Sequence, residues 1–391
     1  MKTRFRKVLS YVFLGLTLLC TVAAAISALT NIGLPTHSQV TERLSELEKA
    51  RLAETIHLRQ ELGDAVWPGW GQADIPIIVY NEEYAFLVGY PDPPDGWLKM
   101  PRRQARGGAW EPVPGDIFQG QVYYRQQLAG PNLTPENYTV LVGERWVATM
   151  ETKEYMEIKF YADIRQQIPP FLQEVFPYRL VWGFLVDETE NYIGGLEHES
   201  FHALQGSLAG ERLAEAEYAN QNESQYPWDD TTLDKLWQQE MDLLVQAVQA
   251  DTTEQAAELG RQFLVQRDAR RAETGLSQEL IDYERQREWL EGLAKYAELV
   301  IGRSAGATSA YTYLPALEAD PDFNAYATRQ RYWEGQIGEA QRTTGRSGGT
   351  CFYYSGFAQA VLLDRLLPGW QTQAFEPGVM LEDLLRQALG Q

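Results

Sequence analysis

The sequence predicts an α+β protein carried on an N-terminal transmembrane helix, and three observations predict it. A charge-free apolar run follows four basic residues at the start of the chain. A middle region is built of short runs rich in β-branched and aromatic residues, and nearly everything beyond it carries helical periodicity. The chain divides into residues 1–30 as a signal-anchor transmembrane helix, 31–70 as a stalk or packing helix, 71–162 as a β-rich region and 163–391 as a mostly helical domain. At 391 residues it is long enough to bury a sizeable core.

Lys2, Arg4, Arg6 and Lys7 precede an uncharged apolar stretch from Val8 to about Leu29. At about 1.5 Å per residue such a helix crosses the hydrocarbon core of a bilayer. Basic flanks stay cytoplasmic, so a single pass puts the rest of the chain outside the cell membrane. The alternative is a signal peptide cleaved after the small residues Ala23-Ala24-Ala25 or Ser27-Ala28, which releases the domain. Both readings export it.

From 38 to 65, Val40, Leu44, Leu47, Leu52 and Ile56 recur near helical spacing, and Trp67-Pro68-Gly69 ends the run. Strands are expected at 77–80, 84–88, 121–125, 138–142 and 146–150. Between them the Pro/Gly/Trp-rich stretch from Pro91 to Gly115 reads as a solvated loop carrying Arg102, Arg103 and Arg106. Residues 178–186 form a strand or apolar segment, after which Asp187 or Thr189 caps a helix. Amphipathic helices follow at 231–250, 252–272 and 277–303, the last capped by Ser277.

Charge and cysteine content exclude several classes of function. The net charge is −20, and the four cations before residue 8 leave −24 on the remainder, so the clustered Lys and Arg that nucleic-acid binding needs are missing. Of two cysteines, Cys20 lies in the apolar run, so Cys351 has no evident partner. Neither a disulfide framework nor a Cys-based metal site follows, and Cys351 reads as a small buried hydrophobe.

The chemistry lies in His198-Glu199-Ser200-Phe201-His202, an H-E-x-x-H pattern holding two of the chain's four histidines. On a helix, positions i and i+4 share a face, so both imidazoles can reach one metal ion, with Glu199 beside them as a proton acceptor. Catalytic zinc takes three protein ligands, and no histidine follows His202. A carboxylate is therefore expected, from the series Glu284, Glu288, Glu291 and Glu298, whose spacing also fits one face of an ordinary solvated helix.

Trp289-Leu290-Glu291-Gly292-Leu293-Ala294 resembles, with one residue missing, the W-L-N-E-G-F-A segment of aminopeptidase N-like gluzincins. The resemblance makes Glu291 the third ligand, with Glu288 and Glu298 as alternatives. Gly292 and Ala294 are then expected to let this helix pack closely on the one bearing His198. Tyr353-Tyr354-Ser355-Gly356 resembles the Y-x-K-G segment whose tyrosine stabilises the tetrahedral intermediate. That role falls on Tyr353, with Tyr354 as competitor, and Ser355 stands where the family has lysine. The family's G-A-M-E-N exopeptidase motif is not recognisable, and the interval from His202 to Glu291 is longer than is usual there.

The resemblance thus implies the gluzincin class within the aminopeptidase N/thermolysin-like clan, not an aminopeptidase. It implies a zincin-like fold for residues 163–391, one Zn2+ per chain, and a peptide or protein substrate. Two other readings compete. One is an exported, catalytically inactive peptidase-like binding protein, in which Glu199 would most simply have been lost. The other is a di-iron carboxylate protein, since Glu54-x-x-His57 repeats the E-x-x-H of Glu199 and His202.

Overall fold

The computed structural model describes residues 2–128, 135, 139–185 and 188–391, so the expectations at Tyr138 and Asp187 fall outside the described residues. Helix α1 (Lys2–Thr30) contains Phe13–Thr30, a stretch long and apolar enough to cross a membrane, with mean hydropathy 2.0. Helix α2 (Glu46–Val66) starts where the Ser45 side chain accepts a hydrogen bond from the Glu48 amide, later than 38. It packs into the protein and is no free stalk: Leu52, Glu54, Thr55, Leu58 and Arg59 are all buried.

The sheet has eight strands: β1 (Ile77–Tyr80), β2 (Tyr84–Val88), β3 (Trp97–Lys99), β4 (Gln104–Arg106), β5 (Glu111–Pro112), β6 (Tyr124–Gln127), β7 (Val140–Val142) and β8 (Arg145–Glu151). Their spatial order is β4-β3-β7-β8-β1-β2-β6-β5, curled, with β1 parallel to β8 and every other neighbouring pair antiparallel. The stretch 91–115 is therefore not simply a loop, since it supplies three short strands. The strand expected at 121–125 begins three residues later, because Gln121 is used in a separate bridge to Phe118.

Alternate side chains of the central strands point to opposite faces, and both faces are buried. Ile77, Val79, Phe86, Val88, Ala148 and Met150 join the main core with the helices. Ile78, Tyr80, Ala85, Leu87 and Val147 form a second cluster with Trp97, Trp110, Val140 and Val142. Double-sided burial explains why these strands read as continuous apolar runs.

The helices are α3 (Lys153–Gln167), α4 (Tyr178–Leu185), α5 (Thr189–Ala219), α6 (Thr231–Gln249), α7 (Thr253–Glu273), α8 (Gln278–Arg287), α9 (Leu293–Ala307), α10 (Arg329–Arg342), α11 (Thr350–Leu366) and α12 (Leu381–Leu389). Residues 178–185 are thus helical rather than extended. Asp230, Thr252 and Ser277 cap α6, α7 and α8 through their side chains. Thr189 caps nothing: it is the first residue inside α5, and its hydroxyl donates to Asp320 at 2.8 Å. Between α8 and α9 the helix continues through one π turn, Glu288–Gly292.

Helix α5 lies across β8. At Gly206 a Cβ would fall 2.3 Å from the Trp146 indole, so only glycine lets the helix descend onto the sheet there. One continuous core runs from α2 through this sheet face to α12.

Candidate metal centre

Two elements bring the centre together: α5 with the H-E-x-x-H pattern and the π turn with Glu291. His198 Nε2 and His202 Nε2 are 3.2 Å apart. Glu291 Oε2 lies 3.2 Å from the first and 3.3 Å from the second. Three acceptor atoms thus form a nearly equilateral triangle. Tetrahedral zinc, with ligand bonds of about 2.0–2.2 Å, holds its ligand atoms about 3.3–3.6 Å apart, so the residues present fit the ion.

Each ligand's outer atom is engaged elsewhere, which turns its inner atom toward the common point. His198 Nδ1 meets Glu298 Oε2 at 3.2 Å, and Lys295 pairs with Glu298 at 2.8 Å. His202 Nδ1 meets Gln205 Oε1 at 2.7 Å. The amide nitrogen of Gln205 donates to the carbonyls of Trp289 (2.9 Å) and Leu290 (3.2 Å), so its oxygen must accept and His202 Nδ1 must carry the proton. Arg287 binds Glu291 Oε1 at 2.9 Å, leaving Oε2 for the triangle. With both Nδ1 atoms protonated, the two Nε2 atoms and Glu291 Oε2 all turn inward, and the triangle is held together either by a cation or by a proton that an imidazole Nε2 donates to Glu291.

The electrostatics show that the centre favours positive charge. Burial alone would lower the His198 pKa, but hydrogen bonds donated to Glu291 and Glu298 lift it to about 10. His202 is also raised, chiefly by Glu291 against its burial. Burial would raise Glu291, yet Arg287 and the two histidines hold it well below the ordinary carboxylate value. Glu199 is half-buried, and burial pushes it up to about 7 despite both histidines. His198, His202 and Glu291 are 9%, 6% and 7% exposed, so solvent meets the centre only at its edge.

Helix α11 closes one side. The Tyr353 ring stacks on His198, with centroids 5.9 Å apart and planes within 11°, and burial together with the nearby Glu291 carboxylate holds its hydroxyl well above the ordinary tyrosine value. Tyr354 turns away, its hydroxyl donating to Gln336 at 3.2 Å, so of the two tyrosines only Tyr353 borders the ligands. The other glutamates of the series are taken. Glu288 makes a two-pronged ion pair with Arg267 (2.6 and 2.9 Å) and accepts from Ser355 at 2.6 Å. Glu284 binds Arg270, Arg271 and Tyr226. All four carboxylates face protein, not solvent.

The expected close packing through Gly292 occurs against a different partner. A Cβ on Gly292 would lie 2.4 Å from Gly356 Cα, so the close approach at Gly292 is to α11, while the π turn meets α5 through Gln205 and the two histidines. Glu54 and His57 are also spent elsewhere. Glu54 accepts from Tyr311, Tyr326 and the Leu314 amide, and His57 Nε2 meets the Thr312 carbonyl, so no second E-x-x-H reaches the centre. Gln205 and Arg287 went unnoticed in the sequence. The available signals were their positions, three residues after His202 and four before Glu291, where helical side chains meet.

No family model, curated protein or solved structure matches this chain. Functional argument therefore rests on the geometry of its own residues.

Proposed function

We propose that the protein is a membrane-anchored, extracytoplasmic zinc metallopeptidase of the gluzincin type. The observation that carries this reading is the convergence of His198 Nε2, His202 Nε2 and Glu291 Oε2 on one point, with every outer atom tied. A bound zinc ion supplies Lewis acidity, acidifying water and polarising a peptide carbonyl. Glu199 borders the ligands and makes no hydrogen bond to another described side chain, so it is free to take a proton from the attacking water and return it to the leaving amine. Tyr353 hydrogen-bonds the carbonyl oxygen as it gains charge. Glu298 and Gln205 keep the two imidazoles in the tautomer that presents Nε2. The basic residues Lys2, Arg4, Arg6 and Lys7 hold the start of α1 in the cytoplasm.

The test is metal content by mass spectrometry on the purified full-length protein, followed by a peptide-library digest. One zinc per chain is expected, absent in His198→Ala and weakened in Glu291→Gln. Glu199→Gln should retain the metal and lose about 10²–10⁴ in hydrolysis. A parent protein without stoichiometric metal overturns the proposal, and full activity in Glu199→Gln removes that residue as the base.

A further inference from the structure

Where the chain leaves α1, it is fastened to the hairpin formed by α3 and α4. Asn31 Nδ2 donates to the carbonyls of Glu174 (3.0 Å) and Phe176 (2.8 Å). Arg179 reaches back to the carbonyls of Thr30 (2.9 Å) and Gly33 (3.2 Å). Leu34 packs with Phe160, Ile164 and Phe176 against the buried rings of Tyr161, Tyr178 and Trp182. The hairpin is therefore fixed beside Thr30, where the apolar stretch of α1 ends.

That same hairpin turns apolar side chains outward. Phe171 is 80% exposed, Leu180 58% and Leu172 41%, and Ile32, next to the fastened Asn31, is 74% exposed. Side-chain hydrogen bonds of Asn31 and Arg179 to backbone carbonyls hold the segments bearing these four positions next to one another. Beyond them and α1, large exposed apolar residues of the described surface occur singly or in pairs, at Ile117 and Val122, Leu208, Tyr218 and Val265. Leaving four such side chains in water at the end of a membrane span wastes their transfer energy. A helix with one polar and one apolar face fits the boundary between headgroups and acyl chains, and an aromatic-rich base suits that depth.

We propose that the α3–α4 hairpin is a second membrane contact, with Ile32, Phe171, Leu172 and Leu180 inserted at the surface of the bilayer that α1 spans. The inference rests on α1 being a membrane span. A single helical tether leaves a domain free to swivel, whereas two contacts fix its orientation. Helix α5 starts four residues after α4 ends, and His198 is nine residues further, or about 14 Å of helix axis. The hairpin thus sets how the metal-binding helix faces the membrane.

The experiment uses the full chain in proteoliposomes, with Cys20→Ala and the buried Cys351 left in place. Single cysteines at Phe171→Cys, Leu180→Cys, Val22→Cys (in the span) and Val265→Cys (on α7) carry a bimane label. Quenching by lipids brominated on the upper acyl chain is compared with quenching by aqueous iodide. Positions 171 and 180 should be quenched by the brominated lipid and protected several-fold from iodide relative to position 265. If 171 and 180 behave like 265 while 22 is lipid-quenched, the hairpin proposal falls and the anchor stands. If 22 is itself open to iodide and untouched by lipid, the span reading fails and takes the proposal with it.

Discussion

Adding one methyl group at Gly292 should separate two opposing contributions by sign. In a helix interior, alanine is favoured over glycine by about 1 kcal/mol. At Gly292, however, the new Cβ falls 2.4 Å from Gly356 Cα and 3.0 Å from the Phe357 nitrogen, all backbone atoms that no rotamer change can move. Carbon atoms settle at about 3.5–4.0 Å, so the π turn and α11 must part by roughly 1.1–1.6 Å. Overpacking of this kind costs about 3 kcal/mol at the upper end of its usual range, leaving Gly292→Ala about 2 kcal/mol less stable. Gly335 provides the control: it lies inside α10, exposed, with no atom within 4 Å of its Cβ position. Gly335→Ala should gain up to about 1 kcal/mol. With an unfolding entropy of about 2.1 cal/mol/K per residue, each kcal/mol moves the melting temperature of this chain by about 1 °C. Differential scanning calorimetry on the full-length protein should therefore show Tm about 2 °C down for Gly292→Ala and about 1 °C up for Gly335→Ala. The same displacement moves Tyr353 and Ser355 away from the π turn, so zinc affinity should fall in the first variant only. Equal stabilisation of both variants would refute the close approach of the two backbones, and with it the account of how α11 closes the centre.

Gln205→Leu removes the acceptor of His202 Nδ1 and strands the Trp289 and Leu290 carbonyls, so zinc affinity in chelator competition should fall about 10–100-fold. Unchanged affinity would mean that packing alone orients the ring. Tyr353→Phe should lower peptide hydrolysis by about 10²–10³ while Tyr354→Phe leaves it intact, and the reverse ranking would reassign the oxyanion donor. For Glu284, burial favours the neutral form, but Arg270 and Arg271 outweigh it and hold the carboxyl at about 2. A carboxyl held below its unfolded value near 4.5 contributes stability that is present above that pH and lost as pH falls toward 2. The shift corresponds to roughly 3 kcal/mol. Urea midpoints between pH 5.5 and 2.5 should therefore decline with acid, and less steeply in Glu284→Gln; identical slopes would remove Glu284 from the acid limb.

How far the sequence could be read depends on whether a property is local. The β-rich runs, the cap at Ser277 and the shared face of His198 and His202 all follow from neighbours within four residues, and the structure has them. What could not be read is set by tertiary partners. Helix periodicity assigns Glu284, Glu288, Glu291 and Glu298 to nearly the same side, which gives no basis for choosing among them. The choice is made by Arg267, Arg270 and Arg271 on α7, which bind Glu284 and Glu288, while Lys295 pairs with Glu298 beside His198. Only Glu291 is left with an oxygen facing both Nε2 atoms.

The π turn is the clearest case of a feature set from outside. Its wider winding departs from the regular helical ladder, a cost that an isolated helix would avoid. Gln205 from α5 donates its amide N–H groups to the carbonyls of Trp289 and Leu290, and with its oxygen it holds the His202 ring. Arg267 and Ser355 grip Glu288 at the start of the turn, and Gly356 accepts Gly292 at its end. Gln205 therefore links the irregular backbone to the imidazole orientation through one side chain. A helix straightened to a regular ladder would withdraw the partners of Gln205, and the His202 tautomer would be lost together with the placement of Glu291.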